Sequence, residues 1–237
     1  MHFTNYMKRK LGVIGGLGTD TAAQFYIESE RLWHASGQKS HIPLMLENSQ
    51  SAFSLEQSLT CSMDRVDELQ DFLCAAAKNL EKGGSTILAL PCNTAHVHID
   101  ALRSSVNIPV LSITEEVAKK LSKCNVKRAA ILCTAVTRHS GIYDKDCIAL
   151  GIKTIYPSED DQKNIEQIIQ RALSWQNDKS DNEMLQAVID RIIQKGADVV
   201  VLACTDLQLC MPKQLPANVI DSMKTLSEAS IQRLLLM

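Results

Sequence analysis

Short uninterrupted apolar runs alternate along this chain with longer segments in which apolar residues recur every three or four positions. The runs Leu11–Gly15, Ile87–Leu90, Ala129–Cys133 and Val199–Ala203 are too brief and too free of polar residues for a surface helix. They predict parallel strands covered on both faces. Val110-Leu111-Ser112 and Val219-Ile220-Asp221 read as two further strands. A helical period predicts helices over Thr21–Trp33, Arg65–Leu80, Glu115–Lys123, Gln162–Ser174, Met184–Lys195 and Leu226–Leu235. Strands alternating with helices predict an α/β architecture of mostly parallel sheets flanked by helices on both faces. The polar stretches Ala35–Ser40 and Gln176–Glu183 are expected as surface connections. Pro157–Asp161 is expected as a loop entering a helix N-terminus, where acids complement the macrodipole.

Laying the apolar runs over one another exposes a duplication. Gly84-Ser85-Thr86-Ile87-Leu88-Ala89-Leu90-Pro91-Cys92-Asn93-Thr94 matches Gly196-Ala197-Asp198-Val199-Val200-Val201-Leu202-Ala203-Cys204-Thr205-Asp206. Each copy starts at a glycine behind a helical pattern, the expected position just past a helix end. Each then crosses a strand and ends in a cysteine followed by Asn or Thr, residues that cap helices. The two cysteines are 112 positions apart, close to half the chain. Leu11–Gly15 echoes Ala129–Cys133, and Val110–Ser112 echoes Val219–Asp221. The chain therefore reads as two pseudo-symmetric lobes facing one another.

Composition narrows the function classes. A chain of 237 residues, 45% hydrophobic and 22% charged with only 10 Gly and 6 Pro, is an ordinary globular protein of one or two domains. Lys and Arg number 25 against 27 Asp and Glu, a net charge of −2, without a long run of either sign. No nucleic-acid partner and no membrane partner are expected, and a small molecule becomes the default ligand. Met1–Lys10 is polar and carries no apolar core of a secretory leader. Eight cysteines without framework spacing fit a reducing, cytoplasmic setting.

In parallel α/β sheets the functional edge lies beyond the carboxyl ends of the strands, where the pattern puts Cys92 and Cys204. A thiol at a strand-to-helix junction meets backbone N–H groups and the positive helix end, which favour thiolate below its free pKa of about 8.5. Cysteine is also among the most buried residue types, and Cys61, Cys74, Cys124 and Cys147 are read as structural. Duplication sets Cys92 and Cys204 apart. Two matched thiols suit inversion of a stereocentre, in which one base removes a proton from one face and an acid on the other face returns it. Cys92-x3-His96-x-His98 and Cys204-x5-Cys210 lack four-ligand zinc spacing, so no metal is assigned. Gly15-Gly16-Leu17-Gly18-Thr19 follows a strand and opens a helix but carries neither the dinucleotide fingerprint nor a P-loop lysine. It reads as a tight turn whose amides approach a small anion. No Gly-x-Ser-x-Gly elbow is present.

These residues resemble the cofactor-independent aspartate/glutamate racemase superfamily, most closely its aspartate racemase branch. Gly12–Gly18 is similar to that family's opening glycine loop, Pro91-Cys92-Asn93-Thr94-Ala95-His96 to its first cysteine motif and Ala203-Cys204-Thr205-Asp206 to its second. Ile108–Glu116, Cys133–Thr137 with Ser140–Tyr143, and Glu159–Lys163 continue the likeness. The resemblance implies a pyridoxal-free amino acid racemase, an isomerase without cofactor, usually a homodimer, with its active site between the lobes. The first lobe would be residues 8–114, completed by a C-terminal segment 207–237, and the second 115–206. Cys92 and Cys204 would be the two bases. Gly16, Leu17, Asn93, Thr94, Thr134, Thr137 and Thr205 would hold the substrate's α-carboxylate and amine, and Lys163 its acidic side chain.

Departures from the family pattern bear on the substrate. Aspartate-specific members carry an arginine where Ser54 stands here, with Arg138 and Arg65 as candidate replacements; serine cannot supply a bidentate carboxylate contact. Ala203 replaces the usual glycine and Asp206 the usual glutamate. Because Asp206 also stands where glutamate racemases carry histidine, glutamate racemase proper is disfavoured. Aspartate, another small amino acid, a superfamily isomerisation or decarboxylation, and binding of a small acid without turnover are the readings left open.

Overall fold

The structure, a computed structural model, describes residues 9–48, 65–211, 216 and 218–237; Ser54 and Cys61 lie outside them. Strands β1 (Leu11–Ile14), β2 (Leu44–Glu47) and β3 (Ile87–Ala89) form a parallel sheet in the order β2-β1-β3. Strands β4 (Arg128–Leu132), β5 (Lys153–Ile155), β6 (Val199–Leu202) and β7 (Val219–Asp221) form a second, also parallel, in the order β5-β4-β6-β7. The helices are α1 (Thr19–Ala35), α2 (Val66–Lys82), α3 (Ile99–Ser105), α4 (Ile113–Lys123), α5 (Ala135–Ser140), α6 (Ile142–Ile148), α7 (Glu159–Leu173), α8 (Lys179–Gln194) and α9 (Ser222–Leu236). Short 3-10 turns follow each motif cysteine, at Thr94–His98 and Leu207–Cys210.

The expected halving is visible in the strand register. Leu88 bridges Val110, and Val200, 112 positions after Leu88, pairs with Val219. The Val110 segment makes only this isolated bridge, so the strand expected at Val110–Ser112 is not formed as one. Its echo at Val219–Asp221 is a full strand of the second sheet. Ser112 then caps α4 by accepting from the Glu115 amide, as Asp221 caps α9 by accepting from the Lys224 amide. The duplicated glycines sit where a left-handed residue ends a helix, Gly84 at φ 86° and Gly196 at φ 92°.

Helix faces follow the apolar period. Leu69, Leu73, Ala76, Ala77 and Leu80 line the buried side of α2 against Leu88 and Leu90. Ile165, Ile168 and Ile169 of α7 meet Leu185, Val188, Ile189 and Ile192 of α8 in the second core. Helix α8 begins at Lys179, under a capping box of Asp178 and Asp181, so most of the expected surface connection Gln176–Glu183 is helix. Cys147 is buried and Cys74 half-buried, but Cys124 is exposed just past α4, contrary to its reading as a core residue.

The two helices that follow the fourth strand positions exchange lobes. Helix α4 packs on α6 of the second lobe, whereas α9 packs on α1 and beneath β3 of the first, and the two touch each other. Leu226, Ile231 and Leu234 of α9 thus share a core with Leu11, Val13, Phe25 and Trp33. Lys120 pairs with Glu228 at 2.8 Å along the α4–α9 contact. The crossing back to the first lobe therefore starts at Ser222 rather than at residue 207, because β7 hydrogen-bonds to β6.

Candidate active site

The strand ends place the two motif cysteines in equivalent positions of the two lobes. Cys92 follows β3 and is half-buried, and Cys204 follows β6 and is 7% exposed. The Cys92 sulfur lies within electrostatic reach of Cys204. Contrary to the lowered value expected at a strand-to-helix junction, loss of water on burial, then the Asp206 charge, pushes the Cys204 thiol well above its ordinary value. Its Sγ–H donates to Asp206 Oδ2 at 3.4 Å. Burial also pushes the Asp206 carboxyl up to about 6, with the Asp20 charge at the start of α1 acting in the same direction. Gly16 and Gly18 of the glycine loop adopt φ 84° and 86° just before α1. Other buried thiols are held protonated by burial, Cys147 pushed up to about 12 and Cys210 to about 11.

Three threonines join the lobes. Thr94 Oγ1 lies 3.0 Å from both Thr134 Oγ1 and Thr137 Oγ1, and Thr134 Oγ1 donates to Thr137 Oγ1 at 3.1 Å. All three are buried. Each hydroxyl has one hydrogen and two lone pairs, so the triangle satisfies itself without an anion and can turn its hydrogens outward to one. Thr134 also caps α5 by accepting from the Thr137 amide. Thr205 is buried beside Cys204.

Asn93 is held at both ends of its side chain. Its Nδ2 donates to Ser222 Oγ at 3.0 Å, and its Oδ1 accepts from the Tyr143 hydroxyl at 2.5 Å. The side chain expected to cap a helix instead clamps the first lobe to α6 and to the start of α9. Tyr143→Phe is expected to cost about 1–3 kcal/mol, the penalty for stranding the buried Asn93 oxygen, read as a lower urea midpoint. An unchanged midpoint would show the clamp to be dispensable.

His96 explains how the Cys92 backbone is fixed. The ring is buried, and burial lowers its pKa to about 4, so it is neutral. Its Nε2 accepts from the Ile113 amide at 3.0 Å, which leaves the hydrogen on Nδ1 to donate to the Cys92 carbonyl at 2.8 Å. Both nitrogens are used inside the protein, which leaves none for a metal. Tyr143, Ser222 and His96 were not among the residues expected at the site; Tyr143 and His96 stood within the motifs, but Tyr143 meets Asn93 across 50 positions of sequence and His96 reaches the Ile113 amide across 17.

The remaining candidates are placed less centrally. Leu17 packs in the first-lobe core with Ile14 and Leu73, so it offers backbone rather than side chain. Lys163 is 75% exposed and pairs with Asp160 at 3.4 Å. In the same motif Asp161 is bound by Arg191 at 2.6 Å, and Gln162 donates to the Cys133 carbonyl. Arg138 stacks 5.4 Å from the Tyr156 ring centre, and Arg65 pairs with Glu68 at 2.7 Å. No helix among the described residues is long and apolar enough to cross a membrane.

Asp206 carries a testable pH signature. Its proton is held more tightly in the folded protein than in the unfolded chain, where the value is 3.8. The ionised carboxylate therefore subtracts stability fully above about pH 6 and not at all below about pH 4. Asp206→Asn is expected to be more stable than the parent at pH 7.5, by on the order of 1 kcal/mol. That advantage should vanish as pH falls from about 6 to about 4. A pH-independent difference in chemical denaturation would contradict the assignment.

Comparison with known proteins bears on the fold and the family. The chain is 27% identical over 226 residues to the broad specificity amino-acid racemase RacX of Bacillus subtilis (strain 168), covering 93% of this chain and 96% of that one. Its fold superposes on the aspartate racemase of Picrophilus torridus with a TM-score of 0.77 at 24% identity, over 95% and 94% of the two chains. An aspartate racemase homologue from Pyrococcus horikoshii OT3 gives a TM-score of 0.78 at 23% identity, over 95% and 99%. The family described as Asp/Glu/Hydantoin racemase matches residues 14–229, nearly the whole length, and the chain belongs to that family.

Proposed function

We propose that this member of an isomerase family is a cofactor-independent amino acid racemase in which Cys92 and Cys204 exchange the α-proton on opposite faces of the substrate. The observation that carries the proposal is the equivalence of the two cysteines. Each follows the matching strand of its lobe, and the Thr94–Thr134–Thr137 triangle joins the lobes two residues beyond Cys92. A reaction that must run both ways calls for like groups on its two sides.

In this reading the threonine hydroxyls turn towards the α-carboxylate, and the glycine loop and the backbone after each cysteine offer amides to it. Hydrogen bonds of this kind strengthen as charge develops on the carboxylate in the transition state. One thiolate removes the α-hydrogen while the opposite thiol delivers its own to the other face, so the proton count is unchanged at each turnover. Asp206, hydrogen-bonded to Cys204 and titrating near neutrality, is placed to accept the Cys204 proton when Cys204 must act as the base. Asn93, both ends of its side chain being used by Ser222 and Tyr143, contributes its backbone.

A substrate range wider than aspartate is part of the proposal. Ser54 stands where aspartate-specific members carry arginine, and Arg138, Arg65 and Lys163 are each engaged with neighbours elsewhere. The broad specificity of the Bacillus subtilis relative points the same way. A homodimer in a reducing cytosol completes the reading; it rests on the family resemblance and on eight cysteines without framework spacing. Proton NMR in D₂O with each common amino acid in turn tests the whole. Loss of the α-hydrogen signal for one or more of them is expected, and its retention for all would overturn the racemase reading.

A further inference from the structure

At the other end of α1 from the glycine loop, Glu30, His34 and His41 bring one carboxylate and two imidazoles together, their nearest ligand atoms all within 4.8 Å of one another. Glu30 and His34 are one turn apart on α1, and His41 comes from the segment entering β2. His34 Nε2 lies 2.9 Å and His41 Nδ1 2.6 Å from the same oxygen, Glu30 Oε1. The other carboxylate oxygen already accepts from the Ile42 amide at 3.0 Å.

The outer contacts decide what Oε1 and the two rings face. His34 Nδ1 lies 3.3 Å from the Gln38 carbonyl, which can only accept, so this nitrogen carries the hydrogen. His34 Nε2 is the ring nitrogen that faces Glu30 Oε1, at 2.9 Å. A metal-bound histidine usually has this pattern, one nitrogen on the ion and the other N–H on a backbone carbonyl, with the ligating carboxylate anchored by its second oxygen. The loop between the histidines is pinned by Trp33 Nε1 donating to the Ser40 carbonyl at 2.9 Å and by the Gly37 amide on the His34 carbonyl at 2.9 Å.

We propose that Glu30 Oε1, His34 Nε2 and His41 Nδ1 form a binding site for one divalent transition-metal ion of the zinc, nickel or copper class. Two imidazoles and one carboxylate select these ions over magnesium or calcium, which take all-oxygen sites. Bonds of about 2.0–2.1 Å hold tetrahedral ligand atoms about 3.3 Å apart. The rings would draw back by about half an ångström, which side chains 47% and 89% exposed are free to do. The ion would staple the last turn of α1 to the segment entering β2 and raise the thermal midpoint by binding only the folded chain.

The test is titration of the purified protein with Zn²⁺ against a chromophoric chelator, beside His34→Gln and His41→Gln, with Co²⁺ spectra of each. Both substitutions lie on the surface, and turnover without added metal should be unchanged. The expected result is one Zn²⁺ per chain at this site and a saturable rise in thermal midpoint. Either substitution should weaken it by more than the roughly 10–100-fold that losing an outer-shell partner costs, and the Co²⁺ complex should lack a thiolate charge-transfer band. Equal Zn²⁺ affinity in the variants would overturn the proposal. So would Co²⁺ binding that shows the thiolate band in all three proteins, which would place the ion on the cysteines instead.

Discussion

Alanine at position 92 or at position 204 is expected to lower kcat for racemisation by at least about 10²- to 10⁴-fold, the contribution of a positioned acid or base. The substrate's affinity should change little, because in the proposed arrangement its carboxylate contacts would come from the threonines and backbone amides rather than from sulfur. The two losses should be of similar size although the cysteines differ in environment. Cys204 is the more deeply buried and is bonded to Asp206, while Cys92 has its backbone fixed through His96. In a two-base exchange neither thiol has a substitute, so each removal interrupts both directions. The double variant should be no slower than the singles, since groups that act as a unit are not additive. Steady-state kinetics in both directions checks this; a variant of either cysteine with the parent's turnover would show that one thiol is only structural.

Leu226→Ala is expected to produce the largest loss of stability, about 2–5 kcal/mol for a fully buried leucine that leaves a cavity. Leu226 is 0% exposed and sits in the core that α9 shares with Leu11, Val13, Phe25 and Trp33. That core is built from two ends of the chain, so its collapse on truncation is restrained from both sides. At about 2–4 °C per kcal/mol for a chain of this size, the thermal midpoint should fall visibly. The loss should reach the active site as well, because Ser222 at the start of the same helix holds Asn93. Leu236→Ala is the control: that side chain is 78% exposed at the end of α9 and should leave the midpoint unchanged. Equal effects from the two substitutions would mean that α9 does not tie the lobes together.

The duplication was legible because parallel strands buried on both faces leave short apolar runs with fixed flanks. Gly84 and Gly196 proved to be left-handed helix ends, and the register Leu88–Val110 repeats as Val200–Val219. The apolar pattern alone did not show the exchange of α4 and α9 between lobes, which only the family resemblance implied, since an apolar stripe shows that a helix face is buried but not what buries it. For the same reason Val219–Asp221 joins the second sheet while Ser222 begins a helix of the first lobe, an alternation within four residues that no boundary in composition marks. Among the site residues, the threonines at 94, 134 and 137 were found from motifs, and the structure brings them into one triangle. Tyr143 and Ser222 were missed as site residues because a lone tyrosine on a helix or serine at a helix start carries no pattern until Asn93 meets it. Lys163 shows the converse, a motif position whose side chain lies in solvent beside Asp160.

The central claim is that two groups, one on each face, exchange the proton, and the isotope content of both enantiomer pools tests it most directly. One enantiomer of the amino acid that exchanges is incubated with the enzyme in D₂O, and substrate and product are separated early and analysed for deuterium at the α-carbon. The two-cysteine account predicts deuterium in the product and protium in the recovered substrate, since the thiol that delivers hydrogen has equilibrated with solvent and the one that removes it has not returned it. Deuterium appearing equally in both pools from the first time points would mean that a single group serves both faces, and would contradict it.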